Sequence, residues 1–158
     1  MFFNGFAIVT VHRWKKFNGR DWATVVKQGK LVAAIKSLKP VKPGGPWHVL
    51  CDNESFLRAA AVSAAHKRIG VKLLKIPAKS PDLNPVERVW AWLRKRLRAM
   101  DLADAVAKRR VLSKAQYTAR VKRVLKSKKL QSVAAACARG LRKVCAEVVR
   151  KQGAATRG

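Results

Sequence analysis

The chain has 158 residues, which is enough for one domain with a hydrophobic core and short for two. Apolar residues make up 49% of it, which excludes a disordered polybasic tail, while 36 Lys and Arg against 8 Asp and Glu give a formal net charge of +28. Such an excess indicates a polyanionic partner. Nucleic acid is the first candidate and an acidic membrane surface the weaker one, since no apolar run reaches the roughly 18–20 residues of a membrane-spanning helix.

The first half of the chain is predicted to alternate strands and helices. Residues 5–14 are β-branched and apolar, as in a strand, and 18–38 carry apolar residues at helical spacing with Gly29 as the weak point. The next predicted elements are a loop at 39–46, a strand at 47–53, a helix at 54–70 ended by Gly70, a strand at 71–77 and a loop at 78–85. This order predicts an α/β fold with right-handed crossovers and a largely parallel sheet of three strands.

The second half is predicted to be helical and basic. A helix is expected from Val86 to about Met100, in which Trp90, Leu93 and Leu97 share a core face. Trp92 points elsewhere, and we favour packing over stacking on a base. A looser basic segment, 101–114, leads to a long amphipathic helix or helix pair at 115–152.

Cysteine chemistry and secretion are not indicated. Cys51, Cys137 and Cys145 form no CxxC pair, and His48 with Cys51 has no second pair of ligands to complete a zinc site. The N-terminal run FFNGFAIVTV lacks a basic region and a cleavage site, so we expect no signal peptide and an intracellular, reducing compartment. His66, in the middle of a predicted helix, is expected at the surface or its boundary.

Four of the eight acids lie within residues 52–87, which makes this window the place to look for a site. Glu87 has a local explanation, because Asn84 as N-cap, Pro85 as first helical residue and Glu87 as third resemble a capping box contributing about 1 kcal/mol. The cap does not explain the preceding SPDLN loop, in which Asp82 is expected to bond its own backbone.

Asp52 ends a predicted buried strand. Taken alone, it could be the N-cap of the helix that starts near Glu54. However, 34 residues separate Asp52 from Glu87, through one helix, one strand and one turn. A right-handed β-α-β unit brings successive strand ends to one edge of the sheet, and paired carboxylates there suit Mg²⁺.

These residues carry a family resemblance. HVLCDNESF (48–56), followed by IPAKSPDLNPVERVWAWLRKRL (76–97), resembles the second and third catalytic blocks of mariner-type DDE transposases, with their D…D(34)E pattern. The resemblance covers residues ~5 to ~100 and implies an RNase H-like fold truncated at the N-terminus, with its first two strands missing. It divides the chain into a partial catalytic domain, 1–100, and a basic helical extension, 101–158.

The resemblance also implies an activity and its cofactor. In this family three acids bind two Mg²⁺ (or Mn²⁺) for DNA cleavage and strand transfer, the chemistry of DNA transposition and integration. Asp52 would be the second acid and Glu87 the third, both catalytic and metal-binding. No residue matches the first, since Asp21 precedes a helix. We therefore expect a partial metal site and an inactive, transposase-derived DNA-binding chain in the nucleus, or in the nucleoid of a prokaryote.

The basic residues are expected to contact the DNA phosphate backbone, largely without sequence specificity. The predicted nucleic-acid contacts are Lys79, Arg88, Arg94, Lys95, Arg96, Arg98, Arg120, Lys122 and Arg123. A homo-oligomer is one option for assembly. The alternative function is a non-catalytic DNA- or RNA-binding basic protein, domesticated or relic, in which the carboxylates are caps.

Overall fold

The computed structural model describes residues 17–37 and 46–153. This part of the chain is mostly helical and contains one parallel sheet of two strands, so the prediction of mixed helices and parallel strands is confirmed at that level. The predicted strand at 5–14 lies outside the described residues. The described residues divide into two compact units at Asn84 and Pro85.

In its described residues, the first unit contains three α-helices, two strands and two short 3-10 helices. Their bounds are α1 Gly19–Lys27, α2 Lys30–Ser37, β1 Trp47–Cys51, the 3-10 helix Ser55–Arg58, α3 Ala60–Arg68, β2 Val71–Lys75 and the 3-10 helix Pro81–Leu83. The prediction of a single helix at 54–70 is therefore wrong at its start. A 3-10 helix forms at Ser55–Arg58, and α3 begins only at Ala60.

The predicted helix at 18–38 is two helices. It begins with a capping box, in which the Asn18 side chain accepts the Asp21 N–H and the Asp21 carboxylate accepts the Asn18 N–H. Its regular hydrogen bonding stops at Gly29, whose φ of +72° lies in the left-handed region. A glycine adopts that conformation without a steric penalty, so the first helix ends before it and α2 begins at Lys30.

The sheet is built as the strand pattern predicts. Strand β1 pairs in parallel with β2, in a register that runs from Trp47 opposite Val71 to Cys51 opposite Lys75. The connection between them is α3, which ends before Gly70 at φ +66°, as expected. Both strands are two residues shorter than predicted.

The core of this unit includes a histidine that the sequence placed wrongly. His66 is only 3% exposed, and its Nε2 accepts a hydrogen bond from Trp22 Nε1–H at 2.9 Å. Burial lowers the pKa of His66, so the ring is held neutral. The residue therefore packs inside the unit, next to the cluster of Ala23, Val26 and Ala65, rather than at its surface.

The second unit is a set of three helices: α4 Pro85–Val106, α5 Lys114–Leu125 and α6 Lys128–Arg150. The predicted end of α4 near Met100 is wrong, since the helix continues to Val106, and residue 100, the predicted domain boundary, lies inside it. Between the predicted alternatives for 115–152, the structure shows a helix pair. The break falls at Ser127, whose hydroxyl oxygen accepts the Leu130 N–H at 3.2 Å and starts α6.

Packing in this unit follows the apolar pattern. Leu93 and Leu97 of α4 are buried with Val124 of α5, and Trp90 and Trp92 pack against them, so the packing role predicted for Trp92 is confirmed. Leu130 of α6 is fully buried. None of the helices in the described part of the chain is long and apolar enough to cross a membrane.

Candidate functional site

Asp52 follows the last residue of β1, at the carboxyl edge of the sheet. The Ile76 N–H donates to the Cys51 carbonyl at 3.0 Å, which keeps the two strand ends together at this edge. The Asp52 side chain is exposed and caps no helix in the described residues, so the N-cap alternative is not what the structure contains. Burial first, and then the Asp52 carboxylate, raise the pKa of the Cys51 thiol, while Lys75 acts in the opposite direction.

Glu87 lies in the first turn of α4 and is half-buried. The Asn84 N–H, which a capping box would direct to Glu87, instead donates to the Pro81 carbonyl at 3.0 Å. Among the described residues no hydrogen bond of the Glu87 carboxylate is found, so the predicted capping box is not formed. The negative charge still lies where the helix N-terminus favours it.

The SPDLN loop before α4 has a defined local structure. Asp82 Oδ1 accepts the Leu83 N–H at 3.2 Å, which confirms that this acid bonds the local backbone. Lys79, a predicted phosphate contact, is exposed and has a φ of +58°, a conformation that is unfavourable for a residue with a side chain. Strain of this kind is concentrated at binding and switch segments of proteins.

Asp52 and Glu87 belong to the two different units, each of which is described on its own. Within the described ranges, no group of three or more His, Cys, Asp or Glu side chains is placed to hold a metal ion. The pairing of Asp52 with Glu87 therefore stays a prediction from the sequence.

The basic residues of α4 lie on the face opposite its core. Arg88, Arg94, Lys95 and Arg98 are all exposed, whereas Val89, Leu93 and Leu97 are buried. Arg94 and Arg98 follow Glu87 by seven and eleven residues, about two and three helical turns, so they line up with it along one side of α4. Arg96, also exposed, lies off this line. We refer to Arg88, Arg94, Lys95 and Arg98 as the α4 basic face.

Among the described residues, Arg120 of α5 is paired with two acids, whereas the other predicted contacts form no ion pair there. Its guanidinium donates to Asp101 Oδ1 at 2.7 Å and to Asp104 Oδ2, both on α4, and its side chain is 10% exposed. Asp104 also accepts a hydrogen bond from Arg109 at 2.9 Å. The Arg120 hydrogen bond, with that from Arg109, holds the pKa of Asp104 below its usual range, and Asp104 in turn raises the pKa of Arg120. By contrast, Lys122 and Arg123 are exposed.

This arrangement was missed at the sequence level, although a signal existed. Asp101 and Asp104 are three residues apart, which places them on one side of a helix, and they are two of the three acids in residues 88–158. Their position in an otherwise basic region indicates a specific cationic partner. The pairing was missed because α4 was predicted to end near Met100, which left Asp101 and Asp104 outside the helix.

Comparison with known proteins decides the family. The sequence model described as "DDE superfamily endonuclease" matches residues 15–108, more than half of the chain, and this range contains both Asp52 and Glu87. The chain belongs to the DDE superfamily endonucleases. The resemblance to DDE transposases is thereby confirmed.

A curated relative supports the same family. The chain is 36% identical over 62 residues to a protein named transposable element Tcb1 transposase, from Caenorhabditis briggsae. That alignment covers 39% of this chain and 23% of the relative, so the chain spans less than a quarter of the length of the transposase it matches. No solved structure matches the chain significantly.

Membership among the DDE endonucleases gives the two acids a chemical context. Endonucleases of this superfamily generally use divalent metal ions, and carboxylate oxygens are the ligands that Mg²⁺ and Mn²⁺ prefer. Asp52 and Glu87 are of the right chemical type, and neither accepts a hydrogen bond from the described part of the chain. Each of the two carboxylates, taken by itself, is therefore of a type that suits a hard divalent cation.

Proposed function

We propose that this chain is a DNA-binding part of a mariner-type DDE transposase and holds the DNA phosphate backbone largely without sequence specificity. The observation that carries the proposal is the order of charges along α4, where Glu87 is followed on the same side by the exposed Arg94 and Arg98. Guanidinium groups in that position would bind the phosphates next to a catalytic carboxylate. The net charge of +28 supports the same partner.

The finer fold and site assignments are parts of this proposal. The chain takes its element order from an RNase H-like domain, and Asp52 and Glu87 are its second and third metal-binding acids. Bound Mg²⁺ or Mn²⁺ would activate the attacking hydroxyl for cleavage of a phosphodiester and for strand transfer. The protein acts in the nucleus, or in the nucleoid of a prokaryote, where DNA is available.

DNA binding is tested by fluorescence anisotropy with a labelled duplex, titrated at several concentrations between about 50 mM and about 200 mM salt. Each phosphate contact makes the slope of log K against log salt more negative by about 0.9, so the slope of the variant Arg94→Gln/Arg98→Gln should be less negative by about 1.8. The matched control is Lys108→Gln/Arg110→Gln, two exposed basic residues outside the predicted contacts. An affinity that does not change with salt would refute the proposal.

The role of the acids is tested separately from DNA binding. Mn²⁺ binding, followed by electron paramagnetic resonance, should weaken in Asp52→Asn and in Glu87→Gln, while the affinity of both variants for DNA is kept or slightly raised. The chain as it stands supplies two of the three family acids, so we expect no strand transfer or nicking from it alone. Robust cutting that depends on Asp52 and Glu87 would refute that expectation.

A second candidate is a nucleic-acid-binding protein without catalytic function. The observation that favours it is the exposed basic surface of the second unit, which needs no carboxylate to bind phosphate. It predicts that Asp52→Asn and Glu87→Gln leave both Mn²⁺ binding and DNA affinity unchanged. Loss of a measurable Mn²⁺ site in either variant would exclude this candidate.

A further inference from the structure

The last helix, α6, carries most of its basic residues on one side. Leu130, Ala134 and Val144 are buried, and they lie along one side of its 23 residues. The opposite side carries five exposed basic residues, and at 3.6 residues per turn they fall within an arc of about 100°. These residues, here called the α6 basic face, are Lys128, Arg139, Arg142, Lys143 and Arg150.

The charges of the α6 basic face are not compensated within the described residues. None of the five takes part in an ion pair there. Within this arc, Ser132 and Ala146 are small, exposed and uncharged, whereas Ala135 is buried. The single acid of α6, Glu147, is paired with Lys151 at 2.8 Å. Like charges held on one face repel one another, and a polyanion would relieve that repulsion.

The burial of the other side of α6 decides between two polyanions. A basic amphipathic helix binds an anionic membrane by inserting its apolar side into the lipid. Here Leu130, Ala134 and Val144 of that side are already buried in the three-helix unit, and Leu130 is 0% exposed. The exposed surface of α6 is mainly its charged side, which favours the phosphates of nucleic acid.

We propose that the α6 basic face binds the phosphate backbone of duplex DNA as a contact surface in addition to the α4 basic face. The inference rests on the proposed DNA-binding function and adds a surface to it. From Lys128 to Arg150 the helix extends about 33 Å, which is close to one turn of B-DNA. Its cations are therefore spread over a length on which a duplex presents about 20 phosphate charges.

The test compares three variants of the full chain in the duplex titration against salt. The α6 variant is Arg139→Gln/Arg142→Gln/Lys143→Gln, and its matched control is Arg58→Gln/Lys67→Gln/Lys72→Gln, three exposed basic residues of the first unit. Removing three phosphate contacts should make the salt slope less negative by about 2.7 in the α6 variant and leave that of the control close to wild type. A third variant, Arg139→Lys/Arg142→Lys, keeps the charge and should keep the slope.

The outcomes separate this inference from the proposed function. If wild-type protein shows no salt-dependent binding of duplex DNA, the proposed function falls. If wild type binds and Arg94→Gln/Arg98→Gln weakens binding while the α6 variant does not, this inference alone is overturned. Equal losses in the α6 variant and its control would show an effect of net charge rather than of a surface. Tighter binding of duplex RNA than of duplex DNA at matched salt would overturn the assignment to DNA.

Discussion

The same substitution, Gly→Ala, is expected to have opposite effects at two positions. Gly19 is the first residue of α1 and lies close to the 3-10 helix of the same unit. A methyl group added there would lie 2.7 Å from Ala59 Cβ and 2.9 Å from the Phe56 carbonyl oxygen. Both neighbours are fixed to the backbone, so neither can turn away as the end of a long side chain would. Overpacking of this kind costs about 1–3 kcal/mol.

Gly140, in the middle of α6, is the matched case. The nearest atom to a methyl group added there is Arg88 Nη1, at 3.9 Å, which is an ordinary contact with the end of a flexible side chain. Glycine inside a helix costs about 0.5–1 kcal/mol relative to alanine, because more backbone freedom is lost on folding. Gly140→Ala should therefore stabilise its unit by about that amount.

The measurement is urea unfolding of the full chain, followed by far-UV circular dichroism, with amide hydrogen exchange to assign the change to one unit. At a typical slope of about 1–3 kcal/mol/M, the midpoint of the affected unit should fall by roughly 1 M in Gly19→Ala and rise by a few tenths in Gly140→Ala. A neutral or stabilising Gly19→Ala would refute the close approach of α1 to Ala59 and Phe56. A destabilising Gly140→Ala would refute the open space beside α6.

Three further predictions concern a core leucine, the buried His66 and the ion-paired Asp104. Leu130→Ala should cost about 2–5 kcal/mol in urea unfolding, whereas Leu102→Ala, at a position 66% exposed, should change it by less than about 0.5. Because burial lowers the pKa of His66, this histidine takes up a proton in the unfolded chain at a higher pH than in the folded chain. The free energy of unfolding should therefore fall as the pH drops below about 6.5. This fall should be smaller in His66→Gln and unchanged in His48→Gln. The pKa of Asp104 is also lowered, so its contribution to the free energy of unfolding is complete above about pH 4 and is lost at more acidic pH. Thermal melts across pH should show this loss in wild type and not in Asp104→Asn.

Elements with strong local signals could be predicted from the sequence. The apolar strands at Trp47–Cys51 and Val71–Lys75 and the helix end at Gly70 follow from periodicity and from glycine conformation. The ends of other elements could not be predicted, because they depend on contacts outside the window. The segment 101–114 is predicted to be loose and basic, yet residues 101–106 stay helical in the structure, where Asp101 and Asp104 pair with Arg120 of α5. The helix predicted for 18–38 continues through Gly29, whereas in the structure a helix ends at this glycine.

The site divides in the same way. Spacing along the chain was enough to put Asp52 after a strand and Glu87 in the first turn of a helix, since both depend on neighbours within a few residues. The capping box at Glu87 was not formed, because the Pro81 carbonyl takes the Asn84 N–H that the box requires. The burial of His66 depends on Trp22, 44 residues away, and no local pattern reports a partner at that distance.

Arg120 shows why net charge alone does not identify a phosphate contact. In the sequence it stands with Lys122 and Arg123 in one basic run, and all three carry the same prediction. In the structure its guanidinium is shared between two carboxylates of α4, so binding a phosphate would require breaking those bonds and leaving Asp101 and Asp104 without it. Lys122 and Arg123 are exposed and carry no such cost. The pairing instead joins α5 to α4, and so Arg120 supports the basic surface by fixing the helices that present it.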